Sequence, residues 1–382
     1  MVAQYSMPEN LVKTIFWLDF MKILIVITKS EIGGAQVFAL NLARGLKETG
    51  EEVLVAGGPG DFLPKEMDKL GINFKRLNNL TRSYNPLRSL KFISELKQYV
   101  LEEGFDVIHL NSTNALLGAW GLSALKPRPR LVFTVHGLSL LDGKHKSLVL
   151  FKKVYRLFFR AAFKKLDDIV FVSKLNFDYA QSSGFLNGLK AKSHLIYNGI
   201  EQKTDYWLSR EEARRELKLN KDDYIYGSIG RLAYPKNYEF LINSHVVLKE
   251  IKPNAKLVLI GEGPERAKYE NLISSYKLDE DVVLKGEIFE ASRYLRAFDL
   301  FVLPSIFEGL SLSLIEAISA GVPAIASRVG GNEEIVGVEN CFKLNDQADF
   351  LRLATNAKLV DINKEIFTLD RMIGEYLEVY KY

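Results

Sequence analysis

DLFVLPSIFEGLSLSLIEAISAGVPAIAS, residues 299–327, reads as a strand, a loop, a helix and a second strand in direct succession. DLFVLPS and VPAIAS are short, nearly continuous apolar runs, the pattern of strands buried on both faces of a parallel sheet. Between them the helix is expected to begin near Leu310 or Ser311 and to end before Gly321, a residue suited to the left-handed turn that closes a helix. Past the leading Asp299, two acids lie inside this unit: Glu308 in the loop, and Glu316 eight residues further on, within an otherwise apolar helix. A carboxylate on a helix bound for a packed interior needs a partner there, and the rest of the chain must supply it.

The same alternation extends upstream. IYGSIG, AKLVLIGEG and DVVLKGE are strand patterns that follow the charged helix and loop SREEARRELKLNKDD. An earlier set begins at Met21 with KILIVIT, a glycine pair and the helical AQVFALNLARGLKETG, then EEVLVAGG, FDVIHLNS, RLVFTVHG, DIVFVS and HLIYNG. Strands alternating with helices define an α/β chain with doubly wound sheets. Two such sets give two Rossmann-like domains, joined near Asn198–Ser209 and facing each other across a cleft. The expected division is an extension over 1–20, an N-terminal domain over 21–200, a C-terminal domain over 201–360, and a final helical segment, 361–382, returning to the first domain.

At 382 residues the chain exceeds one ordinary core, which agrees with two domains. Hydrophobic residues at 47% and charged residues at 26% describe a soluble globular protein rather than a disordered or fibrous one. A net charge of +4 is modest, so any basic surface must come from local clustering. Cys341 stands alone, which excludes an intramolecular disulfide and fits a reducing, cytoplasmic setting. No run reaches the roughly 18 apolar residues of a membrane-spanning helix. Residues 1–20 make a poor secretory signal, because Lys13 interrupts the apolar part and no small-residue cleavage site follows. A loosely docked extension is the plainer expectation, with an interfacial anchor through Phe16 and Trp17 as the alternative.

Ligands of open parallel sheets bind beyond the carboxyl ends of the strands. In SIGRLAYPKNYEFLI, residues 228–242, Arg231 follows a strand end and Lys236 precedes a helix expected to be capped by Asn237. Two cations at a strand end and a helix N-terminus suit a diphosphate; a pair of solvated surface cations is the bland alternative. Glu316 could accept hydrogen bonds from a vicinal diol, as a carboxylate does for ribose in dinucleotide folds, or could pair with a surface cation. Glu308 lies nearer the strand end, where a sugar carried on the diphosphate would sit. The loop at Gly309 and Leu310 and the first helical turn direct free N–H groups at the cleft.

These segments together resemble a known family. EGLSLSLIEA is similar to the E-x7-E signature of retaining glycosyltransferases with the GT-B fold, in particular the family 4 (group 1) enzymes. GGAQVFALNLARGLKETGEEVLVA resembles that family's N-terminal glycine loop and helix, while FVS and IYNGI resemble its interdomain segments. GRLAYPKN resembles its Arg/Lys motif, IGEGPER its G-x-G-P turn, and RVGGNEEIV the segment after the E-x7-E helix. The likeness runs in order over nearly all of residues 21–345.

The resemblance implies transfer of a hexose-type sugar from a nucleotide-sugar donor to a glycan or polyprenyl-linked acceptor, with retained anomeric configuration and no cofactor. It implies that Arg231 and Lys236 bind the donor diphosphate, that Glu316 holds the ribose hydroxyls, and that Glu308, with Gly309 and Leu310, contacts the sugar. His136, ending LVFTVH, would approach the donor from the N-terminal domain, although a histidine satisfied within the fold is the alternative. Gly33 and Gly34 would let backbone N–H groups near the phosphate or acceptor, and Gly330–Gly331 would flank the donor. The pattern departs at Asn237, where glycine often follows the lysine, and at Leu310–Ser311, where Phe-Gly is frequent; the second departure leaves the sugar open. Asn111 stands where many members have a histidine two residues after His109.

A metal could also stabilise the leaving diphosphate, but the acidic D-x-D, Asp279–Asp281, precedes strand VVLKG at the wrong end of the sheet and reads as solvated. Metal-independent chemistry through cations and helix N–H groups is therefore expected. Gly261-Glu-Gly263 lacks the third glycine of a dinucleotide fingerprint, since Arg266 occupies that place, and no phosphate-loop motif occurs.

KHKSLVLFKKVYRLFFRAAFKK, residues 144–165, holds eight Lys/Arg and no acid. Lys152, Arg156, Arg160 and Lys164 form one stripe, and Phe151, Tyr155, Phe158 and Ala162 another. Such a helix can lie on an anionic membrane, with the protein peripheral on its cytoplasmic face; packing on the N-terminal sheet with a solvated basic side is the alternative. Nucleic acid is not an expected partner, because no recognised binding module accompanies the charge. Two rivals to the transferase are a non-catalytic GT-B partner subunit and a nucleotide-sugar epimerase of the same fold.

Overall fold

The computed structural model describes residues 20–83, 85–137, 149–201, 205–361 and 363–381. β1 (Lys22–Ile27), β2 (Glu52–Gly57), β3 (Asn73–Arg76), β4 (Val107–Leu110), β5 (Arg130–Val135), β6 (Asp168–Phe171) and β7 (Lys192–Leu195) form a seven-stranded sheet in the order β3-β2-β1-β4-β5-β6-β7. β8 (Tyr224–Ile229), β9 (Ala255–Ile260), β10 (Val282–Leu284), β11 (Leu300–Leu303), β12 (Ala324–Ser327) and β13 (Cys341–Phe342) form a six-stranded sheet in the order β10-β9-β8-β11-β12-β13. Neighbouring strands pair parallel throughout both sheets.

Parallel pairing needs crossover helices, which cover both faces, so the central strands must be apolar in both directions. β1 meets that demand. Leu24 and Val26 enter one core with Phe92 and Phe133, while Ile23, Ile25 and Ile27 enter the opposite core with Phe38 and Leu42. Edge strands escape the demand: β3 reads NFKR with alternating exposure, and β13 has two residues. β7 lies at Lys192–Leu195, ahead of the expected HLIYNG, which leaves residues 196–199 as an irregular segment carrying Asn198 toward the second domain.

The helix Leu369–Lys381 packs on the first sheet. Met372, Ile373, Tyr376, Val379 and Tyr380 enter its core, and a buried side chain of this size is worth about 1.5–3 kcal/mol. A buried polar chain reinforces the contact: Tyr380 Oη lies 2.6 Å from His109 Nδ1, His109 Nε2 2.7 Å from Thr134 Oγ1, and Thr134 Oγ1 2.9 Å from Tyr376 Oη.

Residues 1–19 of the expected extension over 1–20 lie outside the described residues, as do residues 144–148 of the basic segment. The helix Val149–Phe163 buries Phe159, Ala162 and Phe163. Arg156 and Arg160 are not part of a solvated stripe. They donate to the carbonyls of Ser183, Gly184, Phe185 and Asn187, just past the end of the helix Lys174–Ser182, where free carbonyls attract cations. Lys153, Lys164 and Lys165 remain exposed, together with Val154 and Leu157. No helix among the described residues is long and apolar enough to cross a membrane.

Strand order reverses between β1 and β4 in the first sheet and between β8 and β11 in the second. Such reversals open the crevice that takes a ligand in open α/β sheets. The loops leaving β8 and β11 therefore share one crevice, and they carry Arg231, Lys236 and Glu308.

Candidate active site

The two loops at the second reversal are tied together. The Ile306 N–H donates to the Pro235 carbonyl at 2.9 Å, which brings Lys236 beside Glu308. Lys236 Nζ lies 2.8 Å from Glu308 Oε1, and the Ser305 hydroxyl donates to the same oxygen at 2.6 Å. Their side chains are 21% and 15% exposed, so the pair is largely shielded from solvent. Burial opposes the charge on Lys236, yet the adjacent Glu308 carboxylate, with Tyr238, holds the ammonium above its ordinary pKa.

Asn237 starts the helix Tyr238–Ile251 but does not cap it with its side chain. Its backbone is left-handed, at φ 60, and its Nδ2 donates instead to Pro304 O and Asn345 Oδ1, both at 3.0 Å. The helix thus begins beside Lys236 with its Tyr238 and Glu239 N–H groups not taken by the Asn237 side chain, while the Phe240 N–H is bound to the Asn237 carbonyl at 3.1 Å. Free N–H groups at a helix start are what an anion site uses. Arg231 stands exposed at the end of β8, outside the Lys236–Glu308 pair.

Glu316 lies within the helix Leu312–Ser319, which is capped by Ser311, and it has separate partners. Its carboxylate takes a hydrogen bond from Ser292, whose hydroxyl lies 2.8 Å from that of Tyr206. Burial pushes the Glu316 carboxyl up to about 7, with the Ser292 bond offsetting part of the rise.

The first domain contributes His136, immediately after β5. Its ring meets Phe38 edge-on at 4.8 Å, and Nε2 lies 3.4 Å from Asn111 Oδ1. Asn111 Nδ2 points to the His109 carbonyl at 3.3 Å, so its oxygen faces His136 and assigns the ring proton to Nε2. Burial lowers the His136 pKa to about 4, which leaves the imidazole neutral near pH 7. Gly33 is the N-cap of the helix Gly34–Glu48, and a Cβ on Gly34 would meet open space. Both stay on the first domain's side of the cleft.

The domains touch through backbone. Between the domains, a Cβ on Gly309 would fall 1.8 Å from the His136 carbonyl oxygen; within the second domain, one on Gly330, where φ is +54, would fall 2.0 Å from the Glu308 carbonyl oxygen. Only glycine fits at these two places. Gly331 N–H donates to Gly309 O at 2.7 Å, and Asn198 Nδ2 donates to Leu310 O at 3.1 Å. Lys236, Glu308, Gly309, Leu310, Gly330, Gly331 and His136 are thereby linked across one seam. Glu316 stands apart with Ser292, and Arg231 is at the rim.

Of the D-x-D pair, Asp279 is exposed, as the sequence suggested, but Asp281 is not solvated. Asp281 is 3% exposed and is held by Lys249 and Lys256, and Asp279 accepts from Ser274 at 2.7 Å. Ser305, Ser292 and Tyr206 were not among the sequence-derived candidates. Ser305 is discoverable from its place between the strand end and Glu308, whereas Ser292 and Tyr206 reach Glu316 only through the fold.

Two facing doubly wound domains, with a shielded Lys–Glu pair at one crevice and a neutral histidine opposite, define a two-domain enzyme of the GT-B class. The family described as Glycosyltransferase Family 4 matches residues 32–203, and that described as Glycosyl transferases group 1 matches residues 209–355. The chain belongs to the group 1 glycosyltransferases of GT-B fold, enzymes that act on nucleotide-sugar donors. It is 25% identical over 302 residues to the UDP-Gal:alpha-D-GlcNAc-diphosphoundecaprenol alpha-1,3-galactosyltransferase of Escherichia coli, covering 78% of this chain and 73% of that protein. In fold it is similar to sucrose-phosphate synthase from Thermosynechococcus elongatus, with TM-score 0.78, 21% identity and coverage of 94% and 98% of the two chains. The Anabaena protein Alr3699/HepE, solved with UDP and glucose, gives a TM-score of 0.76 at 20% identity over 94% and 99%.

Proposed function

We propose that this glycosyltransferase is a retaining enzyme that moves a hexose-type sugar from its nucleotide donor to a glycan or polyprenyl-linked acceptor in polysaccharide assembly, without a metal or cofactor. The observation that carries the reading is the Lys236–Glu308 pair at the seam, facing His136 across Gly309. In transfer, the bond between the anomeric carbon and the diphosphate oxygen breaks, and its electron pair leaves with the diphosphate. The acceptor hydroxyl oxygen then bonds the same carbon on the same face, and its proton passes to the leaving phosphate.

Negative charge grows on the diphosphate in that step. Lys236 and the first-turn N–H groups of the helix Tyr238–Ile251 are fixed donors for it, and Arg231 adds a guanidinium fork at the rim. Glu308, oriented by Lys236 and Ser305, serves the sugar side, and ionised Glu316 accepts the ribose hydroxyls. Neutral His136 keeps Nδ1 as an acceptor for a sugar hydroxyl, because Nε2 is directed at Asn111. The diphosphoundecaprenol in the name of the Escherichia coli relative supports a lipid-linked acceptor. Contact with an anionic membrane on the cytoplasmic side is supported by exposed Lys153, Lys164, Lys165, Val154 and Leu157, since Arg156 and Arg160 are engaged within the fold.

The test is a panel of nucleotide hexoses incubated with glycan and polyprenyl-linked acceptors, with and without EDTA, and product anomers read by NMR. The expected result is an α-linked product from an α-configured donor at a rate that EDTA leaves unchanged. A β-linked product overturns retention, and loss of turnover with EDTA overturns metal independence. Donor conversion without acceptor would make the protein an epimerase, and no turnover at all would leave it a partner subunit.

A further inference from the structure

The seam holds a second contact that donor chemistry does not use. The helix Lys174–Ser182 follows β6 in the first domain, and the helix Asn332–Val336 follows β12 in the second. Glu334, on the second of these, sets both carboxylate oxygens on the first turn of the other. The Lys174 N–H donates to Oε2 at 2.8 Å and the Leu175 N–H to Oε1 at 3.0 Å. Tyr197, on the segment leading from the first sheet to the second domain, hydrogen-bonds the same side chain.

These N–H groups are the orphan donors of a helix start. The helix's own N-cap, Ser173, serves Asn176 and leaves Lys174 and Leu175 to the glutamate. A carboxylate from one domain therefore does for a helix of the other what a capping residue does locally, with the helix dipole favouring its charge. Both bonds are solvent-accessible, so water replaces each partner when the domains part. That makes the contact reversible.

Its place in the fold ties it to the reacting centre. Gly331, at the start of the Glu334 helix, would set a Cβ 2.9 Å from that of Ser173, and its N–H binds the Gly309 carbonyl. Gly309 in turn lies against the His136 carbonyl. The Glu334 contact and the approach of His136 to the Glu308 loop accordingly belong to one arrangement of the domains.

We infer that Glu334 is a positioning residue for transfer: its carboxylate, seated on the first turn of the helix Lys174–Ser182, latches the domains in the arrangement that sets His136 against the Glu308 loop. The consequence for catalysis rests on the glycosyltransferase reading; the latch itself does not.

The experiment compares the full-length parent with Glu334→Ala and Glu334→Gln by amide hydrogen exchange, small-angle scattering, UDP binding and transfer. Exchange at Lys174 and Leu175 is expected to quicken by about ten-fold or more in Glu334→Ala, ten-fold being the low end for the net worth of one hydrogen bond to a charged group. Its radius of gyration should rise, UDP binding should stay at the parental level, and kcat should fall about ten- to a hundred-fold, as a small misplacement of reacting groups does. Glu334→Gln keeps one acceptor oxygen and should fall between the two. Unchanged exchange and scattering in Glu334→Ala would overturn the latch, whatever the activity. An opened variant that still transfers at the parental rate would overturn its role in positioning. If the parent itself transfers nothing, the functional reading fails, while exchange and scattering still decide the latch. Far-UV circular dichroism of Glu334→Gln guards against a folding defect.

Discussion

Lys236 Nζ sits 2.8 Å from Glu308 Oε1, although the two residues are 72 positions apart and leave different strands. The contact exists because β8 and β11 are neighbours in the second sheet, so the loops at their carboxyl ends share one crevice. It gives both residues a structural role besides any role toward substrate.

Lys236→Ala should therefore lower stability as well as activity. It leaves the Glu308 carboxylate with the Ser305 hydroxyl in a largely shielded place, and stripping a partner from such a group costs about 1–3 kcal/mol. Loss of a preorganised donor to the leaving group should reduce kcat by about 100- to 1,000-fold. Adding Glu308→Gln removes the stranded charge, so the double variant should recover melting temperature without recovering transfer. Thermal melts and steady-state rates of the three proteins check this; a single variant that melts like the parent would remove the structural role.

Glu316 should give donor binding a pH dependence near neutrality. Its carboxyl stands at about 7, above the ordinary 4.5, because it is buried. A raised acid stabilises the folded state fully below the ordinary value, and that contribution is lost as pH rises through about 7. Ribose binding has the opposite sign, since only the ionised carboxylate accepts two hydroxyls. The dissociation constant of UDP should fall between about pH 6 and about pH 8, then level off. His136, at about 4, adds no limb to that curve. Calorimetric titrations should show a steeper dependence in the parent than in Glu316→Gln, which keeps only the part that comes from ionisation of the UDP terminal phosphate.

The parts legible in the sequence are those fixed by local chemistry. β1 and β11 announce themselves because burial on both faces demands continuous apolar residues. β3 and β13 do not, because an edge strand needs no such run. Lys236, Glu308 and His136 were visible as polar residues at strand ends, yet nothing local reveals that Lys236 and Glu308 touch. Partnership at a distance also defeats periodicity. Arg156 and Arg160 recur as a surface stripe would, but the carbonyls they bind lie past the next helix. Asp281 reads as a loop acid until the fold places Lys249 and Lys256 on it, and nothing local singles out Glu334 until another domain's helix start appears beside it.

The buried chain from Tyr380 to His109 predicts acid sensitivity in the first domain. Burial, with His136 nearby, lowers the His109 pKa from 6.5 to about 3. A depressed histidine contributes stability that is present above about 6.5 and is lost as pH falls toward 3, because the unfolded chain takes up the proton first. The parental melting temperature should accordingly drop as pH is lowered from about 7 to about 4. Tyr380→Phe leaves His109 Nδ1 without that hydroxyl and should cost about 1–3 kcal/mol at neutral pH. Melts across the pH range check both; a Tyr380→Phe protein as stable as the parent would show that the hydroxyl adds nothing to helix docking.

Gly309→Ala should separate closure of the domains from assembly of the donor site. Its Cβ would fall 1.8 Å from the His136 carbonyl oxygen, and both are backbone-bound atoms that no side-chain rotation can move apart. The domains must separate by about an ångström to admit it, and such a displacement of reacting groups costs about a hundred-fold in rate. Neither core is touched, and Lys236, Glu308 and Glu316 all belong to the second domain, so melting temperature and UDP affinity should remain near parental values. Gly330→Ala differs in kind. Its φ of +54 and a Cβ 2.0 Å from the Glu308 carbonyl oxygen strain the loop within the second domain, so UDP affinity and stability should both fall. Measuring kcat, UDP affinity and melting temperature for the two variants distinguishes a wedge between domains from a damaged site. A Gly309→Ala protein with parental kcat would mean that transfer does not require His136 to approach the Glu308 loop this closely.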